Sequence, residues 1–340
     1  MSSLTPIERF DSSSGARIYR IPVEAFPGNF IAYCYVILEA GVPTLVDTGS
    51  GFGSSSDHLL AGIAALRDSF GEAITVGDIR RILITHGHID HFGGLADMHE
   101  LTGAQVGIHP LDRRVISAYE ERVVVAARHI RVYLERAGVR DNVRDQLMDM
   151  YSFAKQHVRS VGVDLLLEDG ETLDGLIFHH TPGHCSGQVC IQIGDVLLSA
   201  DHVLARISPH QAPESITHYT GLGHYLDALH KIGQVEGIRV ALGGHETPIE
   251  SFYQRVDEIR ASHLRKLERV LDIVRAADAP LTISDISKAM YPERHGYEVL
   301  LALEEVGAHV EYLYERGQLA VRNLDELERE DNPALRYGLA

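Results

Sequence analysis

Three imidazoles and one carboxylate crowd into Thr85-His86-Gly87-His88-Ile89-Asp90-His91, directly after the apolar run Ile82-Leu83-Ile84. A short apolar run bounded by polar and small residues predicts a buried strand, so the cluster lies where a strand ends. His86 and His88 are two apart, which puts both rings on one side of an extended chain. Asp90 and His91 follow at a turn into Gly93-Gly94, where missing side chains let the backbone bend sharply. Neutral imidazole and carboxylate are ligands that borderline divalent cations favour. A lone His-x-His reads as a solvated loop; four ligand-type side chains in so short a span read as a metal site.

Further ligand-type residues also follow predicted strands. His184 sits in Thr181-Pro182-Gly183-His184-Cys185-Ser186-Gly187, after a strand ending His179-His180. Asp201 follows Val196-Leu197-Leu198 in Ser199-Ala200-Asp201-His202, and His245 follows Val240-Ala241-Leu242 in Gly243-Gly244-His245-Glu246. Taken singly, His184 reads as a turn histidine and Asp201 as a helix cap. Together with the first cluster they read as loops at one edge of a layered sheet, where chemistry is usually mounted.

The elements that must position these residues alternate. Strands are predicted at 17–22, 30–38, 44–46, 79–84 and 105–108, and helices at about 57–70 and 95–101. Residues 111–163 break this rhythm with a charged, proline-free stretch whose apolar positions (Val124, Ile130, Leu134, Leu147, Met150 and Phe153) recur at helical spacing. That insertion either roofs the site or simply packs. Strands resume at 164–167, 175–180, 188–193 and 196–198, followed by a helix at 223–232 and a strand at 240–242. Long amphipathic helices fill the chain from Ser251, and the acidic tail beyond Asn323 is expected to fray.

With 340 residues and a formal charge of −17, the chain is large enough for two domains and repels nucleic acid and anionic lipid. No segment is apolar enough to span a bilayer, and the N-terminus lacks a basic region followed by an apolar core. Cys34, Cys185 and Cys190 form no Cys-x-x-Cys pair. Cytoplasmic residence is therefore expected.

In its order of motifs the sequence resembles the metallo-β-lactamase-fold hydrolase superfamily over roughly residues 15–250. Asp47 matches the first motif, His86-x-His88-x-Asp90-His91 the second, and His184, Asp201 and His245 the next three. The resemblance implies an α/β fold, an αββα sandwich of two mixed β-sheets. Residues 15–250 would be the catalytic domain with the 111–163 insertion, 251–325 a winged-helix-like domain and 326–340 an acidic tail. It further implies two divalent metal ions, the first held by His86, His88 and His184, the second by Asp90, His91 and His245, with Asp201 bridging. A bridging aspartate is similar to the glyoxalase-II, lactonase and ribonuclease branches rather than to the antibiotic-hydrolysing lactamases. The N/O donor set suits zinc and admits iron or manganese. Asp90 and Asp47 are the candidate catalytic carboxylates. Asp90 would take a proton from the activated water. Asp47 either orients a metal-bound ring or forms the turn before Gly49.

The implied activity is hydrolysis of an ester, thioester or lactone in a small-molecule substrate. The rival within the superfamily is a phosphodiesterase or single-strand endoribonuclease. Arg206 could anchor a carboxylate or phosphate, or pair at the surface; His210, His218 and Tyr219 could donate to an oxyanion, or be satisfied loop residues. Tyr133, Tyr151 and Phe153 are candidate apolar walls. The predicted helix around 297–305 carries acidic residues where a nucleic-acid reader needs Lys or Arg, which argues against a nucleic-acid partner. Val270, Val274, Leu300 and Leu303 would pack on the catalytic domain or form a homodimer contact. His202 is open between supporting Asp201 and lying at the surface.

Overall fold

Alternation along residues 17–46 decides the layering. Ile18, Tyr35, Ile37 and Val46 enter one core, whereas Tyr19, Ile21, Val36 and Leu45 enter another on the opposite face. A computed structural model describes residues 4–153 and 157–340. The first sheet runs in chain order: β1 (Glu8–Asp11), β2 (Arg17–Phe26), β3 (Phe30–Leu38), β4 (Thr44–Val46), β5 (Arg81–Leu83), β6 (Gln105–Ile108) and β7 (Leu165–Leu166). It is antiparallel as far as β4 and parallel beyond. The second sheet comprises β8 (Thr172–Leu173), β9 (Leu176–His180), β10 (Val189–Ile193), β11 (Val196–Ala200) and β12 (Val240–Gly243), with only β11 and β12 parallel.

The two sheets pack face to face through Ile18, Tyr35, Val46 and Leu83 on one side and Phe178, Val189, Ile191, Leu198 and Leu242 on the other. Helices α1 (Ser55–Phe70), α2 (Ile89–Phe92) and α3 (Leu95–Thr102) follow in the chain, and Leu59, Ile63, Leu66, Phe92 and Leu95 cover the outer face of the first sheet. The insertion forms α4 (Arg113–Ser117), α5 (Tyr119–Arg136) and α6 (Asp141–Phe153). With α7 (Leu222–Ile232), α8 (Phe252–Ala276), α9 (Ile283–Met290) and α10 (Tyr297–Glu315), α5 and α6 share a core against Cys190, Leu197 and Ala241 of the second sheet, whereas Ile116 of α4 joins the core outside the first sheet. The expected αββα sandwich of two mixed sheets, with a helical C-terminal region, is the observed architecture. No helix among the described residues is long and apolar enough to cross a membrane.

Two expectations need correction, and one open choice falls to packing. Of the helical stripe, Ile130, Leu134 and Leu147 are buried, but Val124 and Met150 are exposed, and Tyr119 and Tyr133 complete the buried face of α5. The 326–340 tail does not fray. After α11 (Leu324–Arg329), β14 (Tyr337–Leu339) pairs antiparallel with β13 (Leu319–Val321), Tyr337 also bridges Leu281, and its ring enters the core. A buried aromatic and a strand partner outweigh the charged residues around them. Val270, Val274, Leu300 and Leu303 are all buried within this chain, so they are packing residues and present no face to a second copy.

Candidate metal centre

Parallel pairing explains why distant residues meet. β4 and β5 run parallel, so Asp47 and the His86–His91 turn leave the same rim of the first sheet. In the second sheet β9, β11 and β12 share one direction, which delivers His184, Asp201 and His245 to a common rim. Val189 N–H donates to the Thr85 carbonyl at 2.9 Å, joining the two rims. Asp47 holds a left-handed backbone at φ 60°, a region that aspartate enters more readily than most non-glycine residues.

At this rim the side chains converge. His245 Nε2 lies 3.2 Å from Asp90 Oδ2 and 3.4 Å from Asp201 Oδ2. Asp201 is also 3.5 Å from His91 Nε2 and 3.7 Å from His184 Nε2. The His88 ring stands edge-on to His184 with centroids 4.5 Å apart, and His86 is 4.1 Å from His91. The ring, carboxylate and thiol atoms of His86, His88, His184 and Cys185 fall within 4.8 Å of one another, as do those of Asp90, His91 and His245.

The other ring nitrogens are already employed. His91 Nδ1 donates to Asp47 at 2.8 Å, His184 Nδ1 to the His210 carbonyl at 2.6 Å, and His245 Nδ1 to the Ile31 carbonyl at 2.7 Å. Asp47 also accepts from Thr85 N–H and Oγ1, and that hydroxyl lies 3.0 Å from His86 Nδ1. In the neutral ring each such bond fixes the tautomer that leaves Nε2 with a free lone pair. Nε2 of His86, His91 and His184 and Oδ1 of Asp201 are indeed buried without a hydrogen-bond partner. Buried orphans of this kind are costly unless something fills them, and a divalent cation suits this donor set.

The charges divide the rings into two groups. Burial holds His86 well below its ordinary range and His88 down to about 3, with the neighbouring imidazoles adding to the effect. His184 is likewise lowered by burial. Burial also opposes charge on His91 and His245, but Asp201 and Asp90 outweigh it, raising His91 well above its range and His245 to about 10.

Several residues at the site had no recognised signal in the sequence. Asp112 is buried and accepts from Gly87 N–H at 2.9 Å and Gly187 N–H at 3.0 Å, tying the His86–His91 turn to the His184 loop. Burial lifts its carboxyl to about 6 against those two donors. Cys185 reaches the cluster, but burial, with Asp112 and Asp201 beside it, keeps the thiol protonated. Phe30 presents a half-exposed ring 4.9 Å from that of His245, backed by Phe26 and, beyond it, Phe52. Its position beside the Pro27-Gly28 turn was the one available clue.

The candidate substrate residues are less well gathered. Tyr133 is buried and donates to the Leu303 carbonyl, so it is a core residue and no wall of the site. Tyr151 lies in the same core. The Phe153 side chain falls outside the described residues. Arg206 is largely exposed and pairs with Glu246 at 3.4 Å. Tyr219 is exposed, with its N–H on Glu214 and its ring beside His224. His218 contributes its carbonyl to Ser186. His210 serves through its own carbonyl, while its Nε2 donates to the Leu301 carbonyl at 3.1 Å. His180 braces the third motif by donating to the Ser186 carbonyl at 2.8 Å. His202 is fully buried with its ring beside that of Tyr225, so it is no surface residue.

A sandwich of two mixed sheets with a histidine–aspartate cluster at one rim defines a class, and the family profile agrees with it. The profile of the metallo-beta-lactamase superfamily matches residues 27–274, and the chain belongs to that superfamily of metal-dependent hydrolases. A Caenorhabditis elegans protein called beta-lactamase-like protein 2 homolog is 25% identical over 311 residues, covering 90% of this chain and 86% of its own. The crystal structure of a metallo-beta-lactamase family protein from Thermus thermophilus superposes with a TM-score of 0.75 at 27% identity, covering 95% of this chain and 98% of that one. A beta-lactamase domain protein from Burkholderia ambifaria shares the fold at a TM-score of 0.72 and 22% identity, over 98% of this chain and 94% of its own.

Proposed function

We propose that the chain is a dinuclear metal-dependent hydrolase acting on the carbonyl of an ester, thioester or lactone. The observation that carries this reading is the set of buried, unpartnered Nε2 and Oδ1 atoms facing one another across the rim. His86, His88 and His184 would hold one divalent ion, Asp90, His91 and His245 the other, and Asp201 both; zinc suits these donors best. When bound, such ions supply a water acidic enough to ionise near neutral pH and polarise the scissile carbonyl.

The chain's own groups do the remaining work. Asp47, hydrogen-bonded to His91 Nδ1, would keep that ring in one orientation, and Asp90 would accept the water's proton. Phe30 and Phe26 offer an apolar surface beside His245, which fits an acyl chain better than a phosphodiester. The order α8, α9, α10, β13 over residues 251–325 supports the winged-helix-like reading, and β14, which pairs with β13, lies beyond those bounds. The middle of α10 is covered on every side, since each residue from Ala302 to Val310 is buried, and its exposed start carries Tyr297 and Glu298 rather than basic residues, which disfavours a nucleic-acid reading face.

A panel of acyl-CoA, acyl-glutathione and lactone substrates tests the reading. Turnover of at least one class, abolished by a chelator and restored by zinc, is expected. Inactivity of the metallated protein on the whole panel, with cleavage of single-stranded RNA, would replace it with the nuclease.

Metal uptake is also expected to release protons unequally. In the metal-free protein at neutral pH, raised His91 and His245 carry protons, whereas lowered His86, His88 and His184 do not. Loading both sites at pH 7 should therefore expel about two protons, and the Asp90/His91/His245 ion should weaken first as pH falls. Titration calorimetry in buffers of different ionisation enthalpy measures this; release of no protons contradicts it.

A further inference from the structure

The loop that follows Asp201 is fastened along its length to the C-terminal helices. Arg255 on α8 donates to the Leu204 carbonyl at 2.6 Å and the Ile207 carbonyl at 2.8 Å, and Ser208 bonds Ser262 at 2.9 Å. On α10, the Leu301 carbonyl accepts from His210 Nε2 at 3.1 Å, and Glu305 Oε2 accepts from Gln211 N–H at 2.8 Å. Between those last two anchors lies the His210 carbonyl, which holds His184 Nδ1 at 2.6 Å. A catalytic-domain ring is thus aimed by a carbonyl that two α10 groups pin from either side.

Glu305 is itself fixed. It is buried, its other oxygen accepts from Lys266 Nζ at 2.6 Å, and His263 and His309 lie 4.0 Å away. His263, Glu305 and His309 could by residue type bind an ion. Most of their donor atoms are engaged: His309 Nδ1 is on the Glu305 carbonyl at 2.6 Å, His263 Nδ1 meets His309 Nε2 at 3.2 Å, and the Lys266 ammonium already supplies the positive charge, which leaves His263 Nε2 as the one unpartnered ring nitrogen of the cluster. The cluster is a brace.

We propose that Glu305 and His210 are positioning residues for the metal centre: α10 holds the His210 carbonyl against His184, so the C-terminal region sets the geometry of the His86/His88/His184 site. This rests on the dinuclear reading above. Groups that orient a metal-bound histidine typically change metal affinity by about 10–100-fold when removed. A role confined to stability would instead lower the melting temperature and leave the affinity of the folded protein unchanged.

Zinc competition against a chromophoric chelator, with far-UV circular dichroism and thermal melting as checks on folding, tests the proposal on the full chain. His210→Ala and Glu305→Ala are each expected to weaken one of two zinc ions by about 10–100-fold and leave the other at wild-type affinity. Glu305→Gln keeps an oxygen for Gln211 N–H and should restore most of the loss. If Glu305→Ala does not fold, His210→Ala, whose side chain is a quarter exposed, decides. The proposal is overturned if the folded alanine variants bind both ions as wild type does, or weaken both equally. His184→Ala separates the two failures. If it weakens one ion while the positioning variants do not, only the proposal falls; if it changes neither ion, the dinuclear reading falls too.

Discussion

Asp201→Ala is expected to lower kcat/KM by about 10³-fold or more, on the scale of removing a preorganised electrostatic partner from a buried reaction centre. Among the described residues, Asp201 is the one carboxylate within 3.7 Å of rings from both halves of the site: His184 on one side, His91 and His245 on the other. In the proposed dinuclear centre its charge would offset the repulsion between two dications held close together. It also sustains the raised proton affinity of His91 and His245 before they load. Without it, one ion should be lost while the β-sandwich persists, since Asp201 contributes no side chain to an apolar core. Steady-state kinetics at saturating zinc, with circular dichroism as control, provides the check. A loss under tenfold would remove Asp201 from the centre of the mechanism.

Gly244→Ala is the second large effect, and it acts through shape. A Cβ on Gly244 would lie 2.4 Å from Asp201 Oδ1 and 2.5 Å from His91 Cε1. The backbone has no room to retreat, because Gly244 N–H donates to the Ala200 carbonyl at 2.9 Å and its carbonyl accepts from Tyr33 N–H at 2.8 Å. One methyl group therefore displaces two proposed ligands at once. Misplacing reacting groups by about 1 Å costs on the order of 10²-fold, so a rate loss of about 10²–10³-fold with reduced metal content is expected. Elemental analysis and kinetics on the folded variant measure both. Unchanged values would mean that His91 and Asp201 can shift without consequence, and their assigned roles would fail.

Much of this organisation was legible in the chain itself. Strand–helix alternation marked the sandwich, and residues such as Asp47, His86 and His245 advertised themselves by standing where apolar runs stop. Side-chain type and spacing carry that information directly. The missing pieces are of three kinds. The His210 and Ile31 carbonyls that aim His184 and His245 are main-chain groups, which every residue possesses and no sequence pattern distinguishes. Asp112 and Glu305 are carboxylates whose roles depend on contacts 75 and 94 residues away along the chain. Tyr337 sits in a charged tail whose local composition predicts solvent exposure, and only its pairing with Leu281 and β13 overrides that. Val124 and Met150 fit a helical stripe as well as Ile130 and Leu134 do. Which face turns inward is set by the second sheet and α10 rather than by periodicity.

Metal content of the purified, zinc-saturated chain after removal of loosely bound ions bears most directly on the central claim. The account predicts about two zinc ions per chain in wild type, falling towards one in His184→Ala. Zero or one ion in wild type, or two retained in His184→Ala, would contradict it.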